Sequence, residues 1–555
     1  MKNLTGKWIR GRFAPAAAAG VLLALSFPNC NIAGFAWIAP ALMLAAAFGK
    51  TGAESFRIGY VAGLAHHLVS LGWLLLIPYR WQGIPLGPFF GWLALSSYLA
   101  LFPAAWVWLC LKAVQTEAKN SSEARPGSWL GTLRHLAARS WAARARWTLF
   151  CAATWVALEM ILSRLLGGFP WNLLGSSQYQ ITPLIQLASL TGVYGVSFLV
   201  VWTSLSLLCA AAAIAHRPGQ RSAWLGEVIL PMLAVTTAFV FGFQNLRMTS
   251  PAEKELRVTL IQPSIPQTLI WDPANDLARF RELLRLSESA LTNQTQLLIW
   301  PEAAIPKLLR YEPEIFQAVT NLARRHQVWM IVGSDDAEPR TTTSVGDADY
   351  FNSAFLVSPQ GELLDRYNKR QLVIFGEYLP LRRWLPFLKW FTPIDGGFTP
   401  GRQAGRFSLE NLGINISPLI CYEDMFPQLT RGSVDGGVDL LVNLTNDGWF
   451  GEGAAQWQQA AGAVFRAVEN GVPMVRCANN GVSGWIDASG NLRALLKDAA
   501  GTIYGPGALH FTLPLAKEHP PTFYHRHGDW FGWSCAGLSA VTAARRLLPE
   551  RKKSS

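Results

Sequence analysis

INISPLICYEDMFP, residues 414–427, sets an apolar alternation directly against a cysteine and two carboxylates. Ile414, Ile416 and Ile420 fall on one side of a period-2 repeat, as one face of a β-strand requires. Cys421 closes the run, and Tyr422, Glu423 and Asp424 follow at once. A thiol buried for packing rarely sits beside two carboxylates. Negative neighbours raise a thiol's pKa and make it less reactive. Either this cysteine is inert, or distant parts of the chain bring it a base and a positive charge.

The same texture extends on both sides. RVTLIQP, QLLIWPE, VWMIVGS, AFLVSP, DLLVNLTND and VPMVRCANN read as strands between residues 257 and 480. Helical patterns at 276–292, 312–326 and 454–470 lie between several of them. Strands alternating with helices predict one α/β domain, placed at 245–527.

The rest of the chain is different. Half of the 555 residues are hydrophobic, 15% are charged, and Trp and Phe number 24 and 29. With a mean hydropathy of +0.20, this is the balance of a membrane protein carrying a soluble part. Eight apolar segments are long enough, or nearly so, to cross a bilayer: 12–28, 32–48, 56–78, 86–112, 147–166, 186–214, 224–244 and 528–547. The second is short and carries Pro40. The first is followed directly by more spans, which argues against a cleaved signal peptide.

Basic residues orient them. MKNLTGKWIRGR at the start is basic. So is 113–146, with Lys119, Arg125, Arg134, Arg139, Arg144 and Arg146 against Glu117 and Glu123. Arg217, Arg221 and the tail RRLLPERKKSS complete the pattern. All four regions fall on the cytoplasmic side if the N-terminus is cytoplasmic. The organisation expected is therefore a seven-span bundle at 1–244, an extracytoplasmic domain at 245–527, and a last span with a basic cytoplasmic tail at 528–555. The net charge of +12 then reads as a topology signal and not as a nucleic-acid surface. The seven cysteines include no C-x-x-C pair, so neither a zinc ribbon nor a disulfide framework is indicated. No metal or cofactor is expected.

Three residues at or just past strand ends could answer the cysteine. Glu302 closes QLLIWPE, Lys369 sits in LLDRYNKRQ, and Cys421 closes INISPLIC. A carboxylate can take the thiol proton during attack. A lysine ammonium can hold that carboxylate ionised and stabilise a developing oxyanion. The backbone N–H after Cys421 is a second oxyanion donor. Each residue also has an ordinary reading, as a solvated turn, a solvated face or a core thiol, and spacing alone does not choose.

The motifs do. WPEAAIP (300–306), NKRQLVIFGEYLP (368–380), ICYEDMFP (420–427) and NLTNDGWFG (443–451) follow in order. This resembles the nitrilase superfamily, whose Glu–Lys–Cys triad matches Glu302, Lys369 and Cys421. With the apolar segments, GFPWN (168–172) and RAVENGVPMVRCANNGVSG (466–484), nearly the whole chain resembles the apolipoprotein N-acyltransferases. The resemblance implies an α-β-β-α sandwich over a membrane helix bundle, in a bacterial inner membrane with the catalytic domain in the periplasm. It implies a thioester on Cys421, formed with an acyl chain of a membrane phospholipid. The acceptor would be the N-terminal amine of a diacylglyceryl-modified apolipoprotein. Glu377, Tyr422 and Glu423 match further positions tied to activity, and Trp271 an aromatic that meets substrate. Asn352 and Trp449 are carried as supporting positions.

The sequence departs from the family at Gln458 and Gln459, at Leu162 between Glu159 and Arg164, and at Asn480. His66, His67 and Glu159 are ionisable groups within spans, and Cys477 reads as a packed thiol. Residues 380–398, with Trp384, Trp390 and three basic side chains, are expected to form a membrane-touching lid. Rival readings are a membrane-anchored amidase or nitrilase on small molecules, and a transporter or scaffold whose outer domain only binds.

Overall fold

The computed structural model describes residues 2–78, 86–118, 128–248, 252–270, 272–291, 294–340, 348–380, 384, 397–435, 437–516 and 520–547. The chain forms two compact units. One contains residues 1–72, 91–247 and 527–555, the other 73–90 and 248–526.

The first unit is helical. Among the described residues, four helices are long and apolar enough to cross a membrane: Gly87–Val114, Trp141–Leu162, Val193–His216 and Leu225–Arg247. The shortest has 22 residues, about 33 Å at 1.5 Å per residue, against roughly 30 Å of hydrocarbon. Lys2–Leu25, Gly52–Ser70 and Trp530–Leu547 complete the longer helices.

The segment expected as a span at 32–48 is not one helix. It is a 3-10 turn, Ala33–Trp37, and an eight-residue helix, Ala39–Ala46. Pro40 sits in that helix's first turn. It cannot donate a backbone hydrogen bond and disfavours the α region in the residue before it, so the chain breaks and restarts there. Glycine lets the helices approach closely. A Cβ on Gly20 would lie 2.0 Å from the Ala62 carbonyl oxygen, so Lys2–Leu25 and Gly52–Ser70 touch backbone to backbone.

Among the described residues, the second unit contains twelve strands: β1 Ala252–Gln262, β2 Leu297–Ile299, β3 Trp329–Pro339, β4 Ala348–Val357, β5 Leu363–Asn368, β6 Phe407–Leu409, β7 Ile414–Ile420, β8 Leu440–Thr445, β9 Met474–Ala478, β10 Gly484–Ile486, β11 Leu492–Leu495 and β12 Gly507–Ala516. They build two six-stranded mixed sheets, in the orders β12-β1-β2-β3-β4-β5 and β11-β10-β9-β8-β7-β6.

The alternation of the sequence explains the layering. Leu297 and Ile299 of β2 join Ile414, Ile416 and Ile420 of β7 and Val442 of β8 in one core between the sheets. The residue between them, Leu298, faces the other way. It packs with Phe280 and Leu283 of the helix Asp276–Ala290 and with Val319 and Leu322 of the helix Pro313–His326. Pro427–Val434 and Ala455–Asn470 are the helices that follow β7 and β8. The result is the nitrilase-like sandwich.

Candidate active site

The site collects where β2, β5, β7 and β8 end. After β2, Trp300 is still held to the sheet by its N–H on the Ile331 carbonyl, 2.9 Å. Pro301 has no N–H to continue the ladder, and the chain turns off with Glu302 at the bend and Ala303 at φ +49°. Gly333 of β3 makes room for the bend. A Cβ there would stand 2.2 Å from the Pro301 carbonyl oxygen.

Glu302 is buried and takes three donors. Asn352 Nδ2 donates to Oε1 at 2.8 Å, Lys369 Nζ to Oε1 at 3.2 Å, and the Asn446 backbone N–H to Oε2 at 2.9 Å. Lys369 follows β5 and keeps sheet-like pairing. Its N–H donates to the Asn352 carbonyl and its own carbonyl accepts from Gly401, both at 2.8 Å. Its ammonium also donates to Glu377 Oε1 at 2.8 Å and lies 5.7 Å from the Tyr422 ring centre. Glu377 accepts from Asn352 Nδ2 at 3.1 Å and from the Val373 N–H at 2.8 Å. Burial disfavours the charge on Lys369, but Cys421, Glu302 and Glu377 outweigh it and hold the lysine well above its ordinary value.

Cys421 is the first residue past β7 and has φ +56°. A left-handed conformation costs a non-glycine residue about 1–2 kcal/mol. Local hydrogen bonds hold it there. Asn443 Nδ2 donates to the Cys421 carbonyl at 2.7 Å, and Tyr422 hydroxyl to the Leu372 carbonyl at 2.8 Å. Burial pushes the thiol's pKa far up, Glu302 and Glu377 push it further, and Lys369 opposes them. At neutral pH the sulfur therefore rests as a neutral thiol.

Glu423 is fully buried and ties two loops together. Its Oε2 accepts from the Ile420 N–H and the Tyr367 hydroxyl, each 2.8 Å. Its Oε1 accepts from the N–H groups of Arg370 and Gln371, at 2.7 and 3.0 Å. Burial raises Glu423, and these hydrogen bonds oppose the rise.

The structure thus brings Glu302, Lys369, Glu377 and Asn352 into one hydrogen-bonded cluster, with Cys421 in its field. It sets Glu423 behind both loops and Trp449 in the turn Asp447–Phe450 after β8. Trp271 lies outside the described residues, as do residues 381–383 and 385–396 of the expected lid, while Trp384 is 81% exposed. Cys477 is a packed thiol in the core between the sheets, 3.4 Å from the carbonyls of Ile261 and Ile299.

The sequence reading missed some groups and named others only as departures. Asp335 pairs in register with Asn352, and burial, then Glu302 and Glu377, raise its carboxyl to about 7 against Lys369. Burial raises Asp447 to about 7 as well, against a hydrogen bond from Thr445. Arg476, in register with Asn443, is 1% exposed and paired to Asp424 and Asp447. Burial lowers it to about 10, with Cys421 opposing. Gln459, one of the departures, donates to Asp424 at 3.1 Å. Asn480, another, donates to the Tyr504 carbonyl at 2.9 Å. Of these, Arg476 and Gln459 stand out in the sequence as polar residues inside a buried strand or helix.

Fold and site define a carbon–nitrogen hydrolase domain joined to an apolar helical unit. The family model for carbon–nitrogen hydrolases matches residues 257–506, and that for the apolipoprotein N-acyltransferase N-terminal domain matches residues 19–206. The apolipoprotein N-acyltransferase of Geobacter metallireducens is 36% identical over 98% of this chain and 96% of its own length. That of Methylococcus capsulatus is 32% identical over 96% and 95%. The chain belongs to the apolipoprotein N-acyltransferase family.

Proposed function

We propose that this protein moves an acyl chain from a membrane phospholipid to the N-terminal amine of a diacylglyceryl-modified apolipoprotein, through a thioester on Cys421. The observation that carries the reading is the buried Glu302–Lys369–Glu377 cluster acting on a neutral thiol at a strand end. A neutral thiol cannot wait as a thiolate, so its proton must leave as sulfur attacks. The Glu302 carboxylate takes it. Sulfur adds to the ester carbonyl, and Lys369 with the N–H after Cys421 balances the oxyanion. The ester C–O bond breaks, and Glu302 returns the proton to the departing lysophospholipid alcohol. In the second half the neutral apolipoprotein amine attacks the thioester carbon, Glu302 takes the amine's proton, and as the C–S bond breaks Glu302 returns that proton to sulfur and restores the thiol.

Both substrates are lipids. Drawing an acyl chain into water costs about 0.8 kcal/mol per methylene, which an enzyme fixed in the bilayer avoids. The proposed topology has eight crossings, the second made by the broken segment 33–46. Both termini are cytoplasmic and the catalytic domain is periplasmic, as the basic loops suggest. The test is to expose the protein to phospholipid labelled in its acyl chain and isolate label on Cys421 that hydroxylamine releases. Label that stays on Cys421→Ala, or none on the natural enzyme, sinks the mechanism. Reporter fusions at residue 350 test the topology, and a cytoplasmic signal there refutes it.

A further inference from the structure

The helical unit contains a slot that the proposed chemistry leaves unused. It opens among the C-terminal ends of Lys2–Leu25, Gly52–Ser70 and Trp141–Leu162, with Leu23, His66, Trp106, Leu158, Glu159 and Asn172 in its wall. The empty space is about 550 Å3 with its mouth included. Apolar walls around a space of this size suit an alkyl chain.

The walls are apolar, with few polar groups. Trp106 contributes its ring while its N–H is taken by the Cys151 carbonyl at 2.9 Å. Glu159 Oε1 accepts from the Leu174 N–H at 2.7 Å and the Trp155 indole at 2.9 Å. Among the described residues the other Glu159 oxygen, Oε2, has no hydrogen-bond partner, and two further groups lack one. His66 is 4% exposed, and its Nδ1 has no hydrogen-bond partner among the described residues. The Nδ2 of Asn172, also buried, has none either. Asn172 is held at φ +56° by the turn that carries it.

Buried polar atoms without partners are rare in folded proteins, and ionisable groups at membrane depth more so. An alkane would fill the slot and leave both atoms unmatched. Water would match them and leave the apolar walls unfilled. An ester at the head of an alkyl chain does both. Its carbonyl accepts from Asn172, and His66, which can donate or accept at Nδ1 according to its tautomer, meets the ester or the glycerol beside it.

We propose that this slot binds one acyl chain of a phospholipid by its tail, with the ester end at His66 and Asn172. Phospholipid is the amphiphile that surrounds a helical unit in a bilayer. The charge pattern puts the C-terminal ends of these three helices at the extracytoplasmic face, so the chain would come from the outer leaflet. The ligand class rests on the acyl-transfer reading, but the site is one of binding and forms no covalent bond.

The experiment uses the full chain in phosphatidylethanolamine nanodiscs. A trace of the same lipid carries a diazirine at the end of one acyl chain, and adducts are mapped by mass spectrometry after illumination. A second arm uses a diacylglyceryl-cysteine peptide with the same diazirine. The expected result is labelling of slot residues by the phospholipid, competed by excess unlabelled phospholipid and reduced several-fold in Leu158→Trp, which fills the slot. His66→Leu, a milder change, should reduce it less. No labelling of the slot, labelling that competitor does not displace, or labelling by the peptide alone overturns the proposal. So does full labelling of a folded Leu158→Trp. Should that variant fail to fold, the competition on the natural protein still decides. Thioester on Cys421 is read from the same sample. Slot labelling without thioester rejects the acyl-transfer reading and keeps the slot; thioester without slot labelling does the reverse.

Discussion

The sandwich and the helical unit handle buried polar groups in opposite ways. In the sandwich they are gathered at one end of the strands and share partners: Asn352 donates to two glutamates, and Lys369 to the same two. In the helical unit they form smaller groups between helices. Arg144 meets Glu227 at 2.5 Å between Trp141–Leu162 and Leu225–Arg247, Tyr194 donates to Ser163 at 3.3 Å near the Arg164–Asp529 pair, and among the described residues His66 Nδ1 has no hydrogen-bond partner. A shared network makes each member's charge depend on the others, which is what chemistry needs. An ion pair between two helices fixes their packing. The difference predicts that substitutions in the sandwich cluster act on rate, and those in the Arg144–Glu227 pair on stability.

The largest effect tests the network at its centre. Cys421→Ala should remove acyl transfer altogether, and Cys421→Ser nearly so, because a hydroxyl is far less acidic than a thiol. Thermal unfolding should be little changed. Glu302→Gln and Lys369→Met should each cost roughly four orders of magnitude in kcat, and the double variant little more, since residues acting as a unit are not additive. Additive losses would dissolve the idea of one cluster.

Gly333→Ala breaks the network by geometry alone. The new methyl group meets the Pro301 carbonyl and shifts the Glu302 bend, and a displacement of about 1 Å can cost a hundredfold in rate. Activity unchanged from the natural enzyme would show that the bend is soft.

Arg144→Met is the opposite case. It strands Glu227 in a buried place, at a cost of about 3–5 kcal/mol. The folded fraction should fall in thermal or denaturant unfolding while specific activity per folded molecule holds. A selective loss of rate would put the helical unit inside the catalytic apparatus.

The last effect is a pH slope. Asp335 is raised from 3.8 to about 7 on folding. Its contribution therefore favours the folded state at acid pH and is lost as pH rises through about 7. Asp335→Asn removes that loss. The stability of the variant relative to the natural protein should climb between pH 4 and 7 and then level off. A flat difference would mean that the carboxyl is not held by its neighbours.

Much of the buried cluster was legible in the sequence because its residues sit where periodicity stops. Ile414, Ile416 and Ile420 announce a strand, and Cys421 is the first residue outside it. Lys369 and Glu302 fall on similar boundaries. What stayed hidden lies within the periodic runs. Arg476 occupies a strand whose every residue is buried, and nothing in VPMVRCANN says that Asp424 and Asp447 will arrive to meet it. Asn446 acts through its backbone N–H, which has no sequence signature. In the helical unit, four of the expected spans fall on helices long and apolar enough to cross a membrane, among the described residues. At 32–48 composition alone does not show that Pro40 interrupts the backbone.

Glu423 has a consequence for how such a chain can change over time. Cys421 and Lys369 follow strands of different sheets, and the core between those sheets is largely aliphatic. A methyl gained here and lost there would let one sheet slide against the other, and the distance from thiol to ammonium would wander with it. Four hydrogen bonds to one carboxylate prevent this, because they fasten Ile420 on one side and Tyr367, Arg370 and Gln371 on the other. The hydrophobic interior is thereby free to drift in composition while the reacting atoms keep their spacing, so lineages can diverge widely through the core and still share one reaction.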